Sequence, residues 1–312
     1  MPESRRQGNV RKIFEKAFDD IYEKGAVFSH LYPFSYDYYR KFGYEHCGSV
    51  KRYTLPLGYA RKLETNGTTH EFIKGDDDKV RSELIGVYES YASRHNIMIS
   101  RTDERWDEVL GVNLFGADRL YYWRDTAGTV KSWVKFKKDG NTMRVHDIAW
   151  ADHESMIGIL QFLGMFEGAA DKLQLRASPE LLADLYCNEL YDLEESRDLL
   201  GMNRVVDAKC ALELLKKDGE GCFTIKVTDK FAAWNNNTYT VEFGNGECTV
   251  KSDSNKGADI EVSELALMQL VLGVFEFDQI AQRKEKDVRI NANAETLRSV
   301  FRKKNLLIAD YF

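Results

Sequence analysis

The sequence predicts an α+β protein, and three observations carry that reading. Helical and strand periodicities come in blocks rather than in strict strand–helix–strand alternation. Strand candidates at 120–123, 132–136 and 143–150 succeed one another, with Lys138-Asp139-Gly140-Asn141 as a turn between the last two, as in an antiparallel meander. Further on, 238–243 and 248–251 flank Gly244-Asn245-Gly246-Glu247, an Asn-Gly hairpin signal. At 312 residues the chain exceeds one usual core, so two or three domains are expected.

The first element is a helix. Val10, Ile13, Phe14, Ala17, Phe18, Ile21 and Tyr22 fall on one helical face, and Gly25 after Lys24 ends it. Ahead of it stands Arg5-Arg6-Gln7-Gly8-Asn9-Val10-Arg11, a basic turn with a glycine. A helix start presents unpaired N–H groups and the positive end of the dipole, which suits phosphate; glycine lets the backbone approach and arginines add paired donors. The plain alternative is an ordinary solvated helix start. Residues 26–32 read as a short buried strand. Pro33-Phe34-Ser35, a short helix and Tyr38-Tyr39-Arg40-Lys41-Phe42-Gly43-Tyr44 follow.

Residues 44–57 predict a strand that ends at Pro56, and 61–70 a polar loop. Gly75-Asp76-Asp77-Asp78 places acids before a helix at 80–92, where they suit the N-terminus better than a cation site. Ser100 and Asp103-Glu104 open a helix through Trp106, Val109 and Leu110. After the meander come a helix from Asp152 or His153 to 166 and a strand, Leu173-Gln174-Leu175-Arg176, stopped by Ser178-Pro179. His146 and His153 read as surface or hydrogen-bonded residues rather than as ligands or bases. A last unit from about 207 has strands at 222–227 and 259–262 around the hairpin. Ser263 then caps an apolar helix ended by Gly273, and a helix at 294–303 precedes Leu306-Leu307-Ile308.

An apolar content of 43% and a charged content of 30% describe a globular chain, and no apolar run is long enough for a membrane span. The net charge of −6 argues against nucleic acid as the main partner. The five cysteines are widely spaced, without a C-x-x-C pair, so neither a metal site nor a disulfide framework is expected and the cytoplasm is the default compartment.

The Arg-x-x-Gly turn, the amphipathic helix, the strand and the Tyr-x-x-Phe-Gly-Tyr element of residues 3–45 resemble the acetyl-CoA half of a GNAT N-acetyltransferase. The wording Leu-Tyr-Pro-Phe-Ser and Tyr-Tyr-Arg-Lys-Phe-Gly-Tyr-Glu is similar to the Eis (enhanced intracellular survival) branch, and weaker likeness extends over the whole chain. The resemblance implies tandem GNAT-like domains followed by a sterol-carrier-protein-like domain. The divisions would be 1–58, the C-terminal half of a first GNAT domain whose early strands precede this sequence; 59–206, a second GNAT-like domain that holds no cofactor; and 207–312, the sterol-carrier-like domain. In the second, Asp152 and Glu154 stand where a glycine turn would be needed, and their charge opposes a pyrophosphate.

The implied activity is acetyl transfer from acetyl-CoA, as co-substrate, to a primary amine of the aminoglycoside or polyamine kind. Arg5, Arg6, Gln7, Gly8, Asn9, Val10 and Arg11 would hold the pyrophosphate. By its place in the motif Tyr39 corresponds to the family's general acid, with Tyr38 and Tyr36 as competing readings; a phenol is protonated at neutral pH and can donate to a leaving thiolate. The family's base is the terminal carboxylate, here that of Phe312. A homo-oligomer, hexameric by the resemblance, is expected. Two alternatives stay open: a non-catalytic form, and a hydrophobic-ligand carrier using the last domain, in which the helix after Ser263 either lines a tunnel or packs as core.

Overall fold

The structure, a computed structural model, describes residues 9–73, 77–111, 117–215, 219–253, 257–283 and 287–310. The first helix, α1 (Asn9–Glu23), buries Phe18 and packs Phe14 and Ile21 against Phe42, Tyr44 and Met202. That cluster reaches one side of the stripe only, so Val10 and Ile13 are exposed rather than core. The helix stops as expected. Gly25 takes φ +76°, its N–H donates to the Tyr22 carbonyl at 2.8 Å, and the Ala26 N–H donates to the Ile21 carbonyl at 3.0 Å. This pair of bonds satisfies carbonyls that the last turn leaves open.

The strand β1 (Phe28–Leu31) is half-buried throughout, not fully buried. Ser35 caps α2 (Tyr36–Arg40), its Oγ accepting the Tyr38 N–H. Next come β2 (Glu45–His46) and β3 (Ser49–Pro56). The chain then turns into α3 (Leu57–Arg61), and the end of the stretch expected to be loop, 61–70, begins the strand β4 (Thr68–Phe72). The β4 residues are mostly polar because it is an edge strand, paired with β5 (Arg119–Arg124) alone.

Before β5 lie α4 (Asp78–Ala92), capped by Asp77, and α5 (Asp103–Leu110), capped by Thr102 rather than Ser100. Gly75 and Asp76 lie outside the described residues. The meander continues through β6 (Val130–Asp139) and β7 (Thr142–Trp150). Asp152 and Ser155 form a capping box on α6 (His153–Gly164), so the acid at this helix start is an N-cap. The strand β8 (Lys172–Ala177) was legible, whereas β9 (Glu194–Leu199) and β10 (Met202–Val205) were not. The remainder is α7 (Ala208–Glu213), β11 (Gly221–Thr228), β12 (Asn237–Gly244), β13 (Glu247–Ser252), β14 (Ile260–Ser263), α8 (Glu264–Leu272), α9 (Phe277–Ala281), β15 (Val288–Ile290) and α10 (Ala294–Val300). Asn245 and Gly246 both take positive φ between β12 and β13, as a two-residue hairpin turn requires. Residues of α8 from Ala266 to Leu272 are buried, so this helix packs as core.

The chain divides into two compact units that do not follow the expected cuts at 58 and 206. One comprises Met1–Gly48 with Leu200–Lys304, the other Ser49–Leu199 with Asn305–Phe312. In the first unit β10 is the middle strand of a three-stranded sheet, order β1-β10-β2, and a five-stranded sheet runs β13-β12-β11-β14-β15. β10 thus joins the segment of residues 1–48 instead of closing a second domain.

The second unit is built on a seven-stranded sheet, order β4-β5-β6-β7-β8-β3-β9. Here β7, α6 and β8 form a parallel strand–helix–strand crossover whose ladder spans only Thr142, Met143 and Arg144. Beyond it lies a cavity of about 30 Å³ lined by Val145 and Asp147 of β7, Arg176 of β8, and Leu307, Ile308 and Ala309. The chain's last described segment therefore returns to this unit and sits where the two parallel strands no longer pair. The Asn96 N–H donates to the Asn305 carbonyl at 2.7 Å, and the Leu307 N–H to the Asn96 carbonyl at 3.2 Å.

Candidate active-site segment

Of the residues expected to hold the cofactor, Arg5, Arg6, Gln7 and Gly8 lie outside the described residues, as does Phe312. Asn9, Val10 and Arg11 form the exposed first turn of α1. Arg11 is not idle there: its Nε donates to Glu15 at 2.9 Å and its guanidinium lies 5.3 Å from the Phe231 ring.

The three candidate tyrosines all sit on α2 and face different neighbours. The Tyr39 ring meets Phe14 of α1 edge-on at 6.2 Å and also approaches Phe34, Tyr38 and Tyr44. Tyr38 faces Phe34 and Phe42, and Tyr36 faces His46. Behind α2, Tyr44 is buried with its hydroxyl 2.7 Å from Ser29 Oγ; burial raises its pKa and the Ser29 hydrogen bond offsets part of that.

Buried charge fixes the turn that carries Phe42-Gly43-Tyr44. Gly43 takes φ +80°, and a Cβ there would fall 1.5 Å from Arg204 Nη1. Arg204 is buried on β10; its Nη1 donates to the Phe42 carbonyl at 2.6 Å and its Nη2 to both Asp229 oxygens at 2.9 Å. The Phe18 ring lies 4.5 Å from the same guanidinium. So one arginine ties α1, the glycine turn and the loop after β11 together. Below it, the Glu45 carboxylate accepts from Arg40 Nη2 at 2.9 Å and Arg283 Nη2 at 3.0 Å. Burial alone would push its pKa up; Arg40, the His46 N–H and Arg283 outweigh it and hold the group below its usual value.

Two groups that look reactive are held inert. His30 Nδ1 is 4.0 Å from Cys47 Sγ, and the thiol donates to the Leu200 carbonyl at 3.1 Å. Burial lowers His30 to about 4 and raises Cys47 to about 12, so a nucleophilic pair is disfavoured. His153 and His146 are exposed, and His153 Nε2 lies 2.7 Å from the Tyr186 hydroxyl.

In the second unit, a cluster that the sequence did not announce gathers about the end of the chain. Asp310 is 3% exposed, and its carboxylate accepts from Arg101 Nε at 3.0 Å and from Arg105 Nε at 2.9 Å. Arg101 also pairs with half-buried Asp147 at 2.5 Å and lies 4.0 Å from the Tyr88 ring. Burial raises the Asp147 carboxyl and Arg101 opposes that rise. The cluster opens on a cleft of about 630 Å³ lined by Ser100, Thr102, Arg105, Glu108 and Asp310. Among the described residues no group of three or more His, Cys, Asp or Glu is placed to hold a metal ion, and no helix is long and apolar enough to cross a membrane.

Comparison with known proteins now defines the class. Residues 1–47 match the Acetyltransferase (GNAT) domain and residues 208–306 the Sterol carrier protein domain. No curated protein matches the chain. A probable N-acyltransferase from Enterococcus faecalis superposes over 100% of this chain and 79% of its own, with a TM-score of 0.84 at 19% identity. A GCN5-related N-acetyltransferase from Anabaena variabilis gives the same coverage, TM-score and identity. Eis1 from Mycobacterium abscessus covers 100% of this chain and 80% of its own, at 0.75 and 16%. The fold is that of GNAT N-acetyltransferases. One chain thus carries a segment that matches a GNAT acetyltransferase domain and a segment that matches a sterol carrier domain.

Proposed function

We propose that the protein is an acetyl-CoA-dependent N-acetyltransferase acting on a small primary amine, polyamine- or aminoglycoside-like. The observation that carries this reading is the Tyr39–Phe14 contact: it joins the motif tyrosine to the helix that the Arg-x-x-Gly turn opens. The backbone of residues 6–10, with Arg5, Arg6 and Arg11 beside it, would cradle the pyrophosphate at the start of α1. Tyr39 then protonates the departing CoA thiolate as the amine nitrogen bonds to the acetyl carbon. The Phe312 α-carboxylate removes the ammonium proton beforehand, directly or through water. Tyr38 and Tyr36 are less favoured because their rings face Phe42 and His46. Assembly into a homo-oligomer belongs to the same reading.

A hydrophobic-ligand carrier is the second reading, and the Sterol carrier protein match supports it. The burial of α8 in the core weighs against it. Calorimetric titration with acetyl-CoA separates the two. The acetyltransferase reading expects binding that Gly8→Asp abolishes through crowding and like charge. Unchanged affinity in that variant rejects the pyrophosphate assignment.

A further inference from the structure

We propose that Arg283 and Gln269 are positioning residues for acetyl transfer: through Glu45 and His46 they brace the short helix that carries Tyr39. This rests on the acetyltransferase reading above, and it gives the segment that matches a sterol carrier domain a part in the reaction.

The helix α2 cannot hold itself. It has five residues, Tyr36 to Arg40, little more than one turn. The first turn of a helix costs more than its hydrogen bonds return, so a piece this short depends on contacts made outside it. At its N-terminal end the Tyr38 N–H donates to Ser35 Oγ. At its C-terminal end stands Arg40, whose Nε and Nη2 donate to Glu45 Oε1 at 3.1 and 2.9 Å.

Glu45 must itself be fixed to serve as that anchor. The strand β2 supplies little of this: it is two residues long, lies at the edge of its sheet and pairs with β10 only at Glu45 and His46. Two side chains from far along the chain make up the difference. Arg283, which follows α9, donates from Nη2 to Glu45 Oε2 at 3.0 Å and from Nη1 to Gln269 Oε1 at 2.6 Å. Gln269 is buried on α8 and donates in turn to the His46 carbonyl at 3.1 Å. One linked pair of side chains thus holds both residues of β2. The Glu45 carboxylate is 3% exposed, with Arg40 on one oxygen and Arg283 on the other. Charge-assisted bonds of this kind set orientation as well as energy.

Arg40, Glu45 and His46 fall within residues 1–47, and Gln269 and Arg283 within 208–306. The brace therefore runs from one matched segment to the other inside a single compact unit. Asp229 repeats the pattern, since it pairs with the Arg204 guanidinium that also holds the Phe42 carbonyl. A proton donor misplaced by even about 1 Å can lose about 10²-fold in rate, so what anchors a five-residue helix bears directly on the tyrosine it carries.

The test uses Arg283→Met, with Arg283→Lys as the conservative variant and Arg289→Met as the control. The Arg283 side chain is 22% exposed and Glu45 keeps Arg40, so the fold survives the change. Arg289 lies in the same matched segment and pairs with Glu261 of β14. Two readouts are taken on each protein: amide hydrogen exchange over residues 36–46, followed by mass, and kcat and KM for acetyl transfer. In Arg283→Met exchange should be at least about tenfold faster, and kcat about tenfold or more lower at unchanged KM for acetyl-CoA. Both should recover in part in Arg283→Lys and stay at wild-type values in Arg289→Met. Wild-type exchange in Arg283→Met overturns the brace, whatever the activity. Faster exchange with wild-type kcat overturns the positioning role, and so do equal changes in Arg289→Met. A wild type that turns over no amine rejects the acetyltransferase reading and the positioning role with it. Exchange does not depend on turnover and still decides the brace, so the two failures are told apart.

Discussion

Replacing Gly43 by alanine should unfold the first unit far more readily than a single added methyl suggests. Two costs follow from the geometry. Gly43 sits at φ +80°, where an L-residue costs about 1–2 kcal/mol. The new Cβ would also lie 1.5 Å from Arg204 Nη1 and 2.8 Å from its Cζ. A flexible arginine would swing aside, but this one is buried between the Phe42 carbonyl, Asp229 and the Phe18 ring. Moving it strips the charged partner from Asp229, itself 1% exposed in its side chain, and breaking a buried ion pair costs about 3–5 kcal/mol. The sum, about 4–7 kcal/mol, is at the severe end for one substitution. Trp234 is the sole tryptophan of this unit, so its fluorescence during urea unfolding reports the unit alone once the other four are replaced by phenylalanine. In an Arg204→Met background Gly43→Ala should cost only the backbone part, about 1–2 kcal/mol. A cost below about 1 kcal/mol in the Arg204 protein, or the same cost in both backgrounds, would refute the reasoning.

Other outcomes follow from the same geometry. His30 is held near 4 by burial, below its ordinary 6.5, so only the unfolded chain takes its proton between those values. Stability of the first unit should therefore fall as pH drops from about 6.5 to about 4, and His30→Gln should flatten that slope in melts run across the range. Glu45 adds to the fall at lower pH: its folded pKa lies below 4.5, so the stability it gives is complete above that value and lost beneath it. Cys47, raised to about 12, should resist iodoacetamide at pH 8 while exposed Cys222 reacts; equal labelling in the folded protein would place Cys47 in a different environment. An isolated acetyl-CoA titration should show one site per chain, because the gap in the second unit is filled by Leu307 to Ala309; two equivalent sites would contradict that.

Much of the fold was legible because local chemistry decided it. The stop at Gly25, the Asn245-Gly246 hairpin, the cap at Ser263 and the β5–β6–β7 meander all depend on neighbours in sequence. What escaped depended on distant partners. The short strand β10 carries the polar Asn203 and Arg204 and becomes a strand by pairing with β1 and β2. The strand β9 is almost wholly exposed and charged, without the alternation that marks a half-buried strand. The compact units were out of reach for the same reason, since β10 groups with residues 1–48 and the 305–310 segment with residues 49–199. At the candidate site the motif residues could be read, but their support could not. Arg204, Asp229, Arg101 and Asp310 are ordinary charges in sequence, and only the fold brings them together. A lone acid in an apolar run, Asp310 after Leu306-Leu307-Ile308-Ala309, was the one available hint.

The central claim is that this chain transfers acetyl groups with Tyr39 as the acid. The direct measurement is CoA thiol release from acetyl-CoA in the presence of a panel of primary amines, for the wild-type chain and for Tyr39→Phe. The account predicts amine-dependent release in the wild type and a kcat lowered about 10²–10⁴-fold in Tyr39→Phe, with acetyl-CoA affinity unchanged. Full kcat in Tyr39→Phe, or no amine-dependent release from the wild type, would contradict it.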